Sequence, residues 1–153
     1  MTAIILAGIQ GSGKTTFYAQ RFFETHVRIS LDMLRTRHRE RILLNACIAA
    51  RQPFVVDNTN VLASERAVYI RAAREAGFRV VGYYFPTPLR TAIARNAKRT
   101  DKKAIPVAGV ASKYKRLQPP TLEEGFDELH TVELAEGGGF VVTAVETTAS
   151  ERA

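Results

Sequence analysis

Tryptophan is absent from the chain and cysteine occurs once, at Cys47. A lone thiol closes no disulfide within the chain, which sets aside disulfide-stapled scaffolds and makes a reducing cytoplasm the expected compartment. No apolar run approaches the roughly 20 residues that a membrane span needs. Residues 1–8 are apolar, but they lack the basic start and the length of a signal peptide. No 20–50-residue period repeats and no tract is compositionally simple, so repeat architectures are excluded. Acids are scarce over most of the length. Residues 1–118 carry 21 Lys and Arg against 7 Asp and Glu, whereas residues 119–153 carry one Arg against 8 acids.

What is present suits one domain. The 153 residues are 46 % apolar and 24 % charged, enough to fill a single core. The basic part would attract a polyanion; a merely solvated basic surface is the alternative. Strand-like and helix-like segments alternate, which predicts a three-layer α/β domain with a parallel central sheet. Strands are expected at residues 2–7, 27–30, 53–57 and 79–85. Helices are expected at 14–24 (with Thr15, Tyr18 and Phe22 on one side), 34–50 (Leu34, Ile42, Ala46 and Ala49 inward) and 63–76, stopped by Gly77. A further helix should start with Thr87 as N-cap and Pro88 at its first position, burying Leu89, Ala92 and Ile93. Residues 95–116 hold eight Lys and Arg and one acid, Asp101, and read as a mobile basic lid poor in core residues. A hairpin at about 128–146 turns through Gly137, Gly138 and Gly139. All 153 residues are taken as one domain.

Gly8-Ile9-Gln10-Gly11-Ser12-Gly13-Lys14-Thr15 satisfies G-x-x-x-x-G-K-[ST] at every position. Glycines let the backbone curl so that successive N–H groups face inward as an anion nest. A helix beginning near Gly13 aims the positive end of its dipole at the same point. Lys14 supplies a point charge for the outer phosphates, and the Thr15 hydroxyl is the usual ligand of Mg²⁺. ATP with Mg²⁺ is the expected cofactor. Asp57 ends an apolar run, where a carboxylate reaches the metal; an Asp that opens a turn is the alternative.

Asp32 follows the second expected strand, on the sheet edge where such folds bind ligands. A carboxylate there can take the proton of an attacking hydroxyl. Arg35, one turn along, can hold an anion beside that hydroxyl. A helix cap with a salt-bridging Arg is an equal reading.

Four blocks together resemble the kinase domain of phage and animal polynucleotide kinases, which phosphorylate 5′-hydroxyl ends of DNA and RNA. They are the P-loop with Thr15-Thr16; Ile29-Ser30-Leu31-Asp32 with Arg35; Val55-Val56-Asp57-Asn58-Thr59-Asn60; and Arg95-Asn96-Ala97-Lys98-Arg99 leading into Ile105-Pro106-Val107. A fifth, Pro119 through Phe126, resembles the end of the animal enzymes' kinase domain. The resemblance covers about residues 3–134. It implies that Asp32 is the general base, that Arg35 binds the acceptor's neighbouring phosphate, and that Arg99 and Arg95 close over ATP. Asn58 and Thr59 would lie near the acceptor, although a capped turn would explain the Asn-Thr-Asn equally. Leu31 stands where many members have Arg, which removes one acceptor contact. The length leaves no room for the phosphatase domain many members carry, so a separate phosphatase or ligase is an expected partner, as is a second copy of the chain. Two other readings stand beside this one: a kinase for a small-molecule hydroxyl, and a nucleotide-dependent binding module or NTPase.

Overall fold

The computed structural model describes residues 1–98 and 105–146. Five parallel strands and one antiparallel strand form a single sheet in the order β2-β3-β1-β4-β5-β6. They span Thr2–Ala7 (β1), Val27–Ile29 (β2), Phe54–Asp57 (β3), Arg79–Tyr84 (β4), Glu128–Leu134 (β5) and Phe140–Ala144 (β6). The helices are Lys14–Arg21 (α1), Leu31–Leu34 (α2), Arg37–Ala50 (α3), Ala63–Glu75 (α4), Leu89–Ala97 (α5) and Val107–Arg116 (α6). This is the expected three-layer fold with a mostly parallel sheet.

β1 lies at the centre, and its alternating residues feed two cores. Ala3 and Ile5 join Leu44 and Cys47 of α3 and Tyr69 and Ile70 of α4 on one face. Ile4 and Leu6 join Phe17 and Tyr18 of α1 on the other. A strand buried on both faces cannot alternate apolar with polar, which is why the TAIILA run is continuous. The chain therefore leaves β1 toward one face and β3 toward the other. The carboxyl ends of these paired strands border a crevice, the position where open α/β sheets bind ligands. Among the described residues no helix is long and apolar enough to cross a membrane.

Several local expectations fail for identifiable reasons. Helix α1 stops at Arg21; Tyr18 and Phe22 pack into the second core as expected, with Phe17 beside them, while the Thr15 hydroxyl donates to Asp57 instead of packing there. The expected helix over 34–50 is two helices. Arg35 at φ 75° closes α2, and Thr36 caps α3 by accepting from Arg39 N. Ile42, Ala46 and Ala49 are exposed; α3 instead buries Glu40, Leu44 and Cys47. Pro88, not Thr87, holds the N-cap position of α5, and Thr87 is buried. The segment 95–116 also contributes to the core: Val110 of α6 packs with Ile9, Val61 and Ala92 in a third cluster. The hairpin forms as expected, with β6 on the sheet edge.

Candidate active site

The loop between β1 and α1 is shaped by close packing. Gly11 has φ 79°, and a Cβ there would run into the carbonyl oxygen of Ala92 in α5. Glycine is therefore required on both backbone and steric grounds. Gly13, at φ 96°, is the N-cap of α1, and a Cβ on it would stand 3.5 Å from the Arg95 guanidinium. Arg95 thus hangs beside the N-terminus of α1. The Lys14 ammonium lies over the loop, donating to Gly8 O at 2.9 Å and Ile9 O at 3.1 Å, with Ser12 Oγ at 3.5 Å.

The segment after β3 ties this loop down. Gly8 N donates to Thr59 O at 2.9 Å, and Asn60 Nδ2 donates to Leu6 O at 2.8 Å. Asn60 itself sits at φ 47°, and its carbonyl accepts from the fully buried Arg66, which also pairs with Glu124. Asp57 Oδ2 accepts from the Thr15 hydroxyl at 2.9 Å and from Arg28 Nε at 2.8 Å. Arg28 is one residue of this network that the sequence reading missed. A cation within a short apolar strand calls for a carboxylate partner, and that was the signal that could have found it.

A cleft of about 740 Å³ joins the elements of the site. Gly11, Ser12, Gly13, Lys14, Thr15 and Thr16 form one wall; Asp32 and Arg35 of the α2 region line it too, as do Asp57, Asn58 and Thr59. Gly8 lies at the foot of the loop, through its carbonyl contact with Lys14. Arg99 lies outside the described residues. The cleft also takes charge from Arg37, Arg95 and Lys113. Its five cations outnumber the acids Asp32, Asp57 and Glu65, and Asp57 is already paired with Arg28. Such a lining favours a polyphosphate. The side-chain oxygen of Gln10 is buried with no hydrogen-bond partner among the described residues, as is the Ser30 hydroxyl just before α2.

Asn58 is occupied internally. Its Oδ1 accepts from Leu31 N at 2.9 Å, and its Nδ2 donates to Glu40 Oε2 at 2.8 Å. Tyr69, whose hydroxyl donates to Glu40 Oε1 at 2.8 Å, has its phenol pushed up to about 12 by burial and by the adjacent Glu40 carboxylate. Glu40 and Tyr69 carried no sequence signal, because hydrophobic periodicity passes over a charged residue on a buried face.

The residues present fit a magnesium ion. Thr15 and Asp57 offer hard oxygen donors 2.9 Å apart. Few protein ligands, with phosphate oxygens and water filling the shell, is the usual arrangement for that ion.

Comparison with known proteins places this geometry. A family model for an AAA domain matches residues 35–120, more than half of the chain. The bifunctional polynucleotide phosphatase/kinase of Schizosaccharomyces pombe is 28 % identical over 136 residues, covering 84 % of this chain. The chain spans about a third (33 %) of the length of that curated relative. Among solved structures, a gluconokinase from Sinorhizobium meliloti 1021 superposes with a TM-score of 0.61 at 20 % identity, covering 88 % of this chain and 83 % of its own. Kti12 of Chaetomium thermophilum, in complex with ADP-AlF3, superposes with a TM-score of 0.61 at 17 % identity, covering 86 % and 88 %. Those two likenesses speak to the fold. The chain belongs to the AAA domain family and has the three-layer α/β fold of P-loop kinases.

Proposed function

We propose that the protein is an ATP-dependent polynucleotide kinase that transfers the γ-phosphate of ATP to a 5′-hydroxyl end of DNA or RNA. The observation that carries this reading is the shared cleft: Asp32 and Arg35 line the same cavity as Lys14 and Thr15. An alcohol held between Asp32 and the P-loop has a base on one side and a phosphate donor on the other.

The roles follow from position. Backbone N–H groups of residues 8–15, with the Thr16 side chain beside them, cradle the phosphates. Lys14 swings from its carbonyl contacts onto the β- and γ-oxygens. Thr15 and Asp57 would hold Mg²⁺, which neutralises charge on the phosphates when bound. Asp32 accepts the proton of the acceptor hydroxyl, a step worth about 10²–10⁴ in rate. Arg35 binds the acceptor's adjacent phosphate. Thr59 lies along the acceptor's path, and Asn58 serves the acceptor side from behind by holding α2. Arg95 and Lys113, which line the cleft, meet the nucleotide's phosphates, and the resemblance gives Arg99 a part in the same task. The distant relative's kinase name supports a nucleic-acid acceptor.

Salt tests the acceptor class. Affinity for a 5′-hydroxyl oligonucleotide should fall with a log–log slope near −0.7 per phosphate neutralised. A neutral sugar or nucleoside acceptor would show almost no slope. Salt-independent transfer to such a compound, with oligonucleotides left unlabelled, would assign the site to a small-molecule kinase.

A further inference from the structure

Helix α2 has four residues, and the Ser30 side chain preceding it makes no capping bond. So short a helix has almost no stability of its own. Its first N–H group, on Leu31, belongs to the set that a helix leaves without internal partners. That group donates to Asn58 Oδ1 at 2.9 Å, so the cap of α2 comes from a different element. Asp32 is the next residue. Where Asn58 places Leu31 N, it places Asp32.

An amide can serve this role in only one of its two orientations, and Glu40 selects it. Glu40 is 5 % exposed, and its carboxylate accepts from three donors: Asn58 Nδ2 at 2.8 Å, the Tyr69 hydroxyl at 2.8 Å and Arg37 Nη1 at 3.0 Å. A carboxylate only accepts, so Asn58 must show it the NH₂ end and turn its oxygen to Leu31. Arg37 Nη1 also donates to the Tyr69 hydroxyl at 3.0 Å, which closes the set. A buried, paired carboxylate is a poor way to gain stability, since an apolar residue of similar volume often does as well. Its value here is orientation.

Resting on the function proposed above, we infer that Glu40 is a positioning residue for Asp32, acting through the side-chain amide of Asn58. The substitution Glu40→Gln tests this with little change in volume. If the new NH₂ meets Asn58, two donors face each other, and the Asn58 amide flips and loses Leu31 N. If it points the other way, it faces the Arg37 guanidinium.

The experiment is a double-mutant cycle in single-turnover phosphate transfer, using Glu40→Gln, Asp32→Asn and the pair. ATP affinity and melting temperature are measured on each protein. Glu40→Gln should lower the single-turnover rate constant by about 10- to 100-fold, the cost of misplacing a reacting group by up to about one ångström, with ATP affinity retained. In the Asp32→Asn background the same change should matter by no more than about twofold, because coupled residues are not additive. An equal loss in both backgrounds, no loss at all, or a loss traced to ATP affinity overturns the inference. If Glu40→Gln does not fold, Asn58→Ala enters the same cycle with the same expectation. Full transfer by Asp32→Asn alone would reject Asp32 as the base, a separate result that removes the reading beneath the inference.

Discussion

Arg28 and Asp57 form an ion pair of 2.8 Å across the parallel strands β2 and β3, with the Asp57 side chain only 2 % exposed. The same carboxylate oxygen receives the Thr15 hydroxyl. A protein cation therefore stands where a divalent ion would approach. Replacing Arg28 by Met should destabilise the fold by about 3 kcal/mol, because a buried carboxylate loses its charge partner. Mg²⁺ should then restore part of the loss by binding only the folded state, raising the melting temperature more than it does in the parent. Urea denaturation with and without Mg²⁺ measures both. An Arg28→Met protein as stable as the parent, and indifferent to Mg²⁺, contradicts the assignment.

Arg35 is held at φ 75°, ψ −34°. A non-glycine residue in such a conformation carries about 1–3 kcal/mol of strain, and strain of this kind collects at functional sites. Arg35→Gly relieves it. The variant is expected to melt no lower than the parent, to bind ATP normally and to show a raised KM for a phosphate-bearing acceptor. An unchanged acceptor KM would mean that the guanidinium has no part in acceptor binding.

The opposite experiment applies to Gly11. An alanine there meets both a positive φ and the Ala92 carbonyl. Gly11→Ala should cost more than about 1 kcal/mol and weaken ATP at least about tenfold, as the loop and α5 are forced apart. Thermal melting and nucleotide titration on one sample give both values.

His26 supplies the pH dependence. Its ring nitrogens lie 2.7 Å from the hydroxyls of Thr2 and Thr25, and burial lowers its pKa below the usual 6.5. The folded state therefore prefers the neutral ring. The associated stability is complete above about pH 6.5, the unfolded value, and is lost as pH falls through the folded one. Melting temperature should drop on acidification in the parent and drop less in His26→Gln. Identical acid profiles would remove His26 as a contributor.

Much of this was legible in the sequence, for physical reasons that can be named. The TAIILA run, the glycines of the loop and Lys14 each obey a local constraint, so β1, the loop after it and the start of α1 could be read directly. Asp57 was legible as an acid at a strand end, and Asp32 as an acid shortly after one. The division of α2 from α3 was not, because it depends on Arg35 adopting a conformation that its side chain disfavours. The inward face of α3 was misread toward Ile42 because its true centre is Glu40, whose burial is repaid by Asn58, Tyr69 and Arg37. Arg37 is a neighbour one turn away on the same helix, but Asn58 and Tyr69 come from elements distant in sequence, so no local pattern could have shown the full set. The core contribution of Val110 was hidden by the surrounding lysines, which cover one side of α6 while the other packs on Ile9.

The central claim is that the Asp32 carboxylate and a nucleotide bound by the Lys14 loop meet across one cleft to phosphorylate a nucleic-acid end. The most direct measurement is single-turnover transfer of labelled γ-phosphate from ATP to a 5′-hydroxyl oligonucleotide, run with the parent and with Asp32→Asn alongside ATP affinity. The expected result is a labelled oligonucleotide with the parent, and transfer reduced by about 10²–10⁴ in the variant with ATP affinity kept. An oligonucleotide left unlabelled by the parent, or labelled equally fast by Asp32→Asn, would contradict it.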